Sequence, residues 1–340
     1  MNGKRWAALI IAAALLFFSL IVNISTSALF SSEEESDLFS GLLGTGNETF
    51  VEEVMEEGSG LDKIAVLSVD GTILADDSSS SFLSSGGYDH ESFLAQLDYA
   101  AEDEAVAGIV IYVNSPGGGV VESRQIYDKI RQIKQETEKP IYISMGGMAA
   151  SGGYYISAPA DKIFALEETW TGSLGVIMSS VNFSQLLENI GVESVTIKSG
   201  EYKDIMSSTR EMTEEEQQIM QTLNDNAYNR FVQVIAEGRG MTEEEVRKIA
   251  DGRIYDGIQA KEIGLIDEFG YLEDVTAAMK TDLGIEDAQV VRYTTSGEFN
   301  FSQFFSATMQ NLSGESSELS DLMQTLTQSN SPRLMYLYAE

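Results

Sequence analysis

Apolar runs that each end in a turn of small residues constrain the fold of this chain more than any other sequence feature. Residues 108–113 (GIVIYV) and 141–145 (IYISM) are such runs, and a helical pattern follows each of them. Nearly continuous apolar runs are typical of strands buried on both faces of a parallel sheet. Their alternation with helices predicts βαβ units and an α/β fold with a mainly parallel sheet.

Further elements are predicted on both sides of these runs. Residues 63–75 alternate as a strand, a glycine turn and more strand. Thr213 and Thr242 each precede a glutamate by three residues, which predicts capping boxes at two helix starts. A tight turn is expected over residues 146–150, before a short helix. The remaining expectations are a short helix within 50–57, a helix over 93–104, and strands over 162–165, 174–178, 195–198 and 289–293.

The N-terminal end predicts a membrane anchor. Residues 6–24 carry no charge and approach the roughly 20 residues that a membrane-spanning helix needs. Lys4 and Arg5 precede this run and an acidic stretch follows it, so the body of the protein is expected outside the cytoplasm. Cleavage as a signal peptide near residues 25–28 is the alternative. The predicted organisation is a cytoplasmic N-terminus (1–5), a transmembrane anchor (6–24), an acidic linker (25–60), a folded domain (61–293) and a polar tail (294–340).

Composition excludes several classes of function. The 54 acidic residues outnumber the 21 basic ones, and a formal charge of −33 disfavours nucleic acid as a partner. The absence of cysteine removes thiolate zinc sites and cysteine nucleophiles. The only histidine, His90, lies in a polar loop before a helix, where a surface or capping role is expected. Neither a metal nor a cofactor is predicted.

Ser151 is the candidate nucleophile. It follows a predicted buried strand and opens a helix within residues 148–153 (MAASGG), where small neighbours permit the sharp turn of a nucleophile elbow. A serine that only caps the helix is the alternative. A serine nucleophile needs a base, and Lys203 is the candidate because it follows a predicted strand and has apolar neighbours that would desolvate it. Residues 114–119 (NSPGGG) offer backbone N–H groups to a ligand, although a plain turn is equally expected.

These motifs resemble those of the signal peptide peptidase SppA family, in the short single-domain form of Gram-positive bacilli. The likeness covers residues 64–293 and rests on VNSPGGG, MAASGGYYIS, TGSLGV, KSGEYKDIMS, EGRGMT and DGRIYDG. It implies a Clp protease/crotonase-like fold of repeated ββα units. It also implies a dyad of Ser151 and Lys203, with Ser173 holding the lysine. Gly118 and a neighbouring N–H within residues 114–119 would form the oxyanion hole.

The resemblance further implies a serine endopeptidase of the cell membrane that degrades remnant signal peptides or other apolar peptides. Its catalytic domain would be extracytoplasmic and its copies would assemble into a ring. Three alternatives remain open: a crotonase-type acyl-CoA enzyme, a stomatin-associated Ser-Lys peptidase and a catalytically silent membrane scaffold.

The C-terminal end carries a separate prediction. Residues 333–340 (RLMYLYAE) are apolar and end a polar tail, which suggests that they occupy the active site of their own or a neighbouring copy and are trimmed there. An extra strand without a regulatory role is the alternative.

Overall fold

The computed structural model describes residues 50–75, 88–295 and 334–338. The predicted anchor, the possible cleavage site, and most of the linker and tail lie outside these residues. Within the described part, no helix is both long and apolar enough to cross a membrane. The chain forms two compact units, one of which contributes only Phe50, Val51, Thr294 and Thr295 to the described residues. All other described residues belong to the second unit.

A parallel-rich sheet organises the second unit, as the apolar runs predicted. Its main path has the order β1-β10-β2-β3-β5-β6-β9, and the pairs β10–β2, β2–β3, β3–β5, β5–β6 and β6–β9 are parallel. The strands are β1 (Phe50–Glu56), β2 (Lys63–Asp70), β3 (Val106–Ser115), β4 (Gly117–Gly119), β5 (Ile141–Ala150), β6 (Lys162–Ala165), β7 (Trp170–Gly172), β8 (Ile254–Tyr255), β9 (Glu268–Phe269), β10 (Gln289–Thr295) and β11 (Met335–Leu337).

Helices connect and cover these strands, giving the mixed α/β architecture that fits the predicted Clp/crotonase-like fold. Thr213 and Thr242 cap two helices through complete capping boxes, so both predicted starts are confirmed. The described helices are α1 (His90–Glu102), α2 (Val120–Glu136), α3 (Gly152–Ser157), α4 (Ser184–Asn189), α5 (Glu214–Arg239), α6 (Glu243–Ile249), α7 (Gly257–Glu262) and α8 (Leu272–Leu283).

The core lies on both faces of β2 and β3. Ile64 and Val66 point to the face where Val275 and Met279 of α8 pack against the sheet. Because side chains alternate along a strand, Ala65 and Leu67 point to the opposite face, and both are also buried. Burial on both faces explains why these strands are apolar without interruption.

Three local predictions are wrong for identifiable reasons. Residues 50–57 form an edge strand, β1, rather than a short helix. Residues 146–150 are the end of strand β5 rather than a tight turn. The chain turns at the next residue, Ser151. The strand expected over residues 174–178 does not form. Strand β7 ends before it, at Gly172, and Ile177 makes only an isolated bridge to Met335.

A fourth prediction, a strand over residues 195–198, is also wrong. The alternation that suggested it is real, but Val195 is 78% exposed and Ile197 is 98% exposed. Neither side chain has a sheet to pack against in the single chain. Residues 176–212, which we call the arm, contain the short helix α4 and the stretch of chain that bears Lys203.

Candidate active site

Ser151 occupies a strained turn between β5 and α3. Its backbone angles are φ 53° and ψ −112°, a conformation that is uncommon for any residue other than glycine. Its N–H donates to the Gly172 carbonyl at 2.8 Å, and its carbonyl accepts from the Tyr155 N–H at 2.8 Å. These two bonds fix the turn from both sides. The structure therefore shows the sharp strand-to-helix turn that the small neighbours predicted.

The Ser151 hydroxyl is buried but unengaged. The residue is 1% exposed, and Oγ has no hydrogen-bond partner among the described residues. Buried hydroxyl groups nearly always have a hydrogen-bond partner. A buried hydroxyl without one, at a strained turn, is therefore a candidate for a group that bonds to a substrate or to another copy of the chain. A serine that served only to cap α3 would donate or accept within that helix, and Ser151 makes no side-chain cap bond.

The C-terminal segment, residues 334–338, lies beside this serine. Its strand β11 pairs antiparallel with β4, with Tyr336 opposite Gly118. The N–H of Tyr338 donates to the Pro116 carbonyl at 2.9 Å, and the N–H of Val120 lies 3.5 Å from the Leu334 carbonyl. Antiparallel hydrogen bonds recur at every second residue, so the Tyr336 carbonyl faces the Gly118 N–H.

The backbone nitrogen of Gly152 also lies near this carbonyl. A Cβ added to Gly152 would lie 3.0 Å from both the Tyr336 carbonyl oxygen and the Gly118 nitrogen. A Cβ added to Gly117 would collide with that oxygen and lie 2.6 Å from the Gly152 nitrogen. The backbone nitrogens of Gly118 and Gly152 are therefore both close to one carbonyl oxygen, in the chain segment that contains Ser151. Two backbone N–H groups near one carbonyl oxygen are what an oxyanion hole requires.

Gly152 was missed by the sequence interpretation, which placed both donors within residues 114–119. The nucleophile-elbow pattern contained the signal, because in that motif the residue after the nucleophile supplies an N–H to the oxyanion hole. Only glycine fits at this position, since a Cβ would also press against the Ser123 hydroxyl at 2.7 Å.

The Tyr336 side chain fills a closed aromatic pocket. It is 0% exposed and stacks on Tyr155 with ring centroids 4.7 Å apart and planes 22° apart. Phe231 of α5 lies at the same centroid distance on another side, and the Tyr336 hydroxyl donates to the Ala227 carbonyl at 3.1 Å. Burial raises the pKa of the Tyr336 phenol above its usual range, so the hydroxyl stays protonated and able to donate.

Ser173 follows Gly172, whose carbonyl accepts from the Ser151 N–H, and its own φ is 49°. It is 8% exposed and borders an open cavity of about 460 Å³, which Leu337 and Tyr338 also line. Ser173 forms no bond to a lysine among the described residues, so its role in holding Lys203 stays a prediction.

Lys203 is not brought to Ser151 within the single chain. Its residue is exposed, and its amine makes no hydrogen bond or ion pair with any described residue. The apolar neighbours expected to desolvate Lys203 are Tyr202, Ile205 and Met206. That expectation is wrong for the isolated chain, since Tyr202 is 43% exposed and the other two are only half-buried. The predicted strand that was to place the lysine does not form.

His90 is buried rather than at the surface, which corrects the expectation for this residue. It is 5% exposed and begins α1, while Asp89 provides the cap. Its Nε2 lies 2.7 Å from the Gln125 Oε1, an acceptor, so Nδ1 accepts from the Tyr88 hydroxyl at 2.6 Å. With both nitrogens engaged, His90 ties α1 to α2 and is not available as a base for Ser151.

Comparison with known proteins identifies the family of this chain. The model of peptidase family S49 matches residues 133–286, and the Clp protease model matches residues 83–171. The chain is 42% identical to a putative signal peptide peptidase SppA of Enterococcus faecium, with 99% of each chain covered.

More distant relatives carry related names. Protease 4 of Haemophilus influenzae is 32% identical over 81% of this chain and 46% of its own length. The chloroplastic serine protease SPPA of Arabidopsis thaliana is 31% identical over 57% of this chain and 29% of its own. With a relative 42% identical along 99% of both chains and a match to the S49 model, this chain is a serine peptidase that belongs to the SppA group of peptidase family S49.

Proposed function

We propose that this chain is a membrane-anchored endopeptidase that degrades signal peptides left in the membrane after preprotein processing, with Ser151 as nucleophile and Lys203 as general base. One observation carries the peptidase chemistry. The Tyr336 carbonyl faces the Gly118 N–H, and the nitrogen of Gly152, the residue after Ser151, lies close to the same carbonyl. The proposal takes this extended apolar segment as occupying the position of a substrate. The substrate class is supported by the name of the Enterococcus relative.

The proposed reaction proceeds through an acyl-enzyme. Unprotonated Lys203 takes the proton of the Ser151 hydroxyl as Oγ attacks the substrate carbonyl carbon. The negative charge moves to the carbonyl oxygen, where the N–H groups of Gly118 and Gly152 stabilise it. Lys203 then gives its proton to the leaving amine as the peptide C–N bond breaks. Water, deprotonated by the same lysine, attacks the ester and releases Ser151.

The arm supports an assembled enzyme. A lysine acts as a base only when a dry environment keeps it unprotonated, and Lys203 is exposed in the single chain. The arm also exposes apolar side chains, among them Ile197, which favour a protein contact over water. We infer that neighbouring copies cover the arm, desolvate the lysine and deliver it to Ser151 in a closed ring. The exposed set comprises Ile177, Val181, Phe183, Leu186, Ile190, Val192, Val195, Ile197 and Tyr202.

The proposed location follows from residues 6–24 and from charge. An uncharged run preceded by Lys4 and Arg5 favours an N-terminus in the cytoplasm and a catalytic domain on the other side of the membrane. The net charge of −33 repels anionic lipid, so the apolar run would provide the attachment.

Two substitutions test the dyad. Ser151→Ala and Lys203→Ala in the full chain are each expected to abolish cleavage of a synthetic signal peptide in detergent, while Ser59→Ala and Lys248→Ala on exposed surfaces outside the arm leave it unchanged. Covalent labelling of Ser151 by a fluorophosphonate separates the peptidase from a silent scaffold. Full activity of either dyad variant would disprove the proposed roles.

Mixing the two inactive variants tests whether the lysine comes from a neighbouring copy. If a site combines Ser151 of one copy with Lys203 of the next, subunits co-refolded in equal amounts regain roughly a quarter of the wild-type activity, because one interface in four carries both groups in a random ring. A dyad within one chain would leave the mixture inactive.

We also propose that the C-terminal segment is a substrate of the site beside which it lies. Its Tyr336 carbonyl is held as the reacting carbonyl would be, so cleavage is expected after Tyr336, with loss of residues 337–340. Intact-mass measurement of wild-type and Ser151→Ala protein tests this. Trimming in the wild type alone supports the proposal, and an intact wild-type chain, or equal trimming in both, refutes it.

A further inference from the structure

Arg210 connects the stretch of chain that bears Lys203 to the start of helix α5. Its guanidinium binds the Asp204 carboxylate with two bonds, Nε to Oδ2 at 2.9 Å and Nη2 to Oδ1 at 2.7 Å. The same guanidinium binds Glu216 with two more, Nη1 to Oε2 at 2.7 Å and Nη2 to Oε1 at 2.5 Å. Asp204 directly follows Lys203 in the chain. One arginine therefore holds the turn of the proposed base to a helix.

The helix end of this connection is rigid. Glu216 is 2% exposed, and its carboxylate also accepts from the Thr213 N–H at 3.0 Å as part of the capping box. Helix α5 continues to Arg239 and contributes Phe231 to the pocket that holds Tyr336. The Arg210 connection therefore links the lysine turn to the same helix that shapes the peptide pocket.

The charge of Asp204 matters for the proposed base. A free carboxylate beside a lysine stabilises the ammonium form, and an ammonium cannot take the serine proton. In the structure two cations engage Asp204, namely Arg210 and Lys198, whose Nζ lies 2.6 Å from Oδ1. Their hydrogen bonds hold the pKa of the Asp204 carboxyl well below its usual range. The other titratable groups around this turn are Glu201, Tyr202, Glu211, Glu215 and Glu216.

We propose that Arg210 is a positioning residue for the peptidase reaction: it fixes the Lys203 turn on helix α5 and neutralises Asp204, and so determines how acidic a solution the enzyme tolerates. The inference rests on the proposed role of Lys203 as general base. It assigns a role to a second residue, Arg210, which takes no part in the proton transfer itself. Most exposed ion pairs contribute little. Arg210 differs because it forms planar, two-point contacts with two carboxylates, one of them buried, which a lysine could not reproduce.

The pH dependence of kcat/KM with a fluorogenic apolar peptide tests this inference in the full-length enzyme. In Arg210→Gln, Asp204 loses its strongest partner and favours protonated Lys203. The acidic limb of the profile is therefore expected to move to higher pH by roughly one unit, about a tenfold loss of rate on that limb. Arg210→Lys keeps a charge without the two-point contacts and should give a smaller shift. The matched control Arg247→Gln removes an exposed arginine–glutamate pair of α6 and should not move the limb.

A double variant separates charge from structure. Arg210→Gln also leaves Glu216 without its arginine, and a purely structural defect would persist whatever stands at position 204. Arg210→Gln combined with Asp204→Asn removes the carboxylate that needs neutralising, so the acidic limb is expected to return to the wild-type position. An unmoved limb in Arg210→Gln, or no return in the double variant, overturns the inference. If Lys203→Ala is inactive, such a result leaves the dyad intact, whereas an active Lys203→Ala refutes the dyad itself.

Discussion

The two halves of the proposed dyad lie in regions of opposite character. Ser151 is 1% exposed, and its turn is fixed by the bond to Gly172 and by glycines that admit no larger residue. The arm that bears Lys203 exposes most of its apolar side chains, up to 98% for Ile197. The single chain therefore contains the proposed nucleophile, the proposed oxyanion hole and the aromatic pocket by itself. It leaves the base in the region that has the least packing.

This contrast has a physical advantage for a peptidase. A serine with a preformed oxyanion hole but without a base is a poor nucleophile. If assembly supplies the dry environment of the lysine, an isolated copy is inactive wherever it lies. Activity would then depend on a contact between copies rather than on folding alone. The predictions below test each side of the comparison in turn.

The region around Ser151, the oxyanion hole and the aromatic pocket, which we call the packed side, should lose activity when a single carbon atom is added to it. In Gly118→Ala the Cβ would collide with the Ile73 carbonyl, so the strand that donates to the oxyanion must shift. Loss of one such donor lowers kcat by roughly 100- to 1,000-fold. Gly284→Ala at the end of α8 meets nothing within 4 Å and should change kcat less than twofold, although its φ of 69° makes the substitution cost some stability. Near-normal kcat in Gly118→Ala would show that this N–H does not stabilise the transition state.

Assembly and activity should be sensitive to a charge introduced into the arm rather than to a change of side-chain volume there. Ile197→Asp places a carboxylate where a neighbouring copy is expected to pack, and burying an unpaired charge costs several kcal/mol. We expect loss of the large species in sedimentation and a fall in activity of roughly tenfold or more, with unchanged circular dichroism. Leu61→Asp, at a site 93% exposed outside the arm, is the control. If Ile197→Asp remains assembled and active, the arm is not the contact surface.

The sequence predicted the packed side well because its signals are local. Buried runs gave β3 and β5, two threonines gave complete capping boxes, and small residues around Ser151 gave the turn. Each signal depends on residues within a few positions of one another. The strand expected over 195–198 had an equally local pattern, but a strand also needs a neighbour, and the single chain provides none there.

The C-terminal segment shows the converse case. Residues 335–337 form a strand although the surrounding tail is polar, because their partner is β4, more than 200 residues earlier in the chain. The sequence suggested that this segment enters the active site but contained no indication of register. The opposition of Tyr336 and Gly118, and hence the expected cleavage position, comes from the three-dimensional pairing alone.

Deletion of the C-terminal segment should increase the peptidase activity toward an added peptide. A tethered occupant competes with added peptide at an effective concentration near the millimolar range. Deletion of residues 331–340 is therefore expected to raise kcat/KM for an added peptide several-fold, with little change in kcat at saturation. Tyr336→Ala in the intact chain should reproduce most of the gain, since it empties the aromatic pocket. Equal kcat/KM in wild-type and deleted protein, each verified by intact mass, would exclude competition.

The smallest effect should come from one hydroxyl group in the packed region. The Tyr336 hydroxyl bonds to the Ala227 carbonyl in a closed pocket, whereas the stacking on Tyr155 needs only the ring. A typical buried hydrogen bond contributes about 0.5 to 1.5 kcal/mol net.

Calorimetry on Ser151→Ala protein lacking residues 331–340 should therefore find that the peptide LMYLY binds roughly two- to tenfold more tightly than LMFLY. Alanine at the central position should cost far more, because it also forfeits the ring. Since Ser151→Ala removes the chemistry and leaves the pocket, measurable tyrosine preference there would show that the aromatic pocket recognises peptide independently of the reaction. Equal affinity of the tyrosine and phenylalanine peptides would instead show that the ring alone carries recognition and that the Ala227 carbonyl adds nothing.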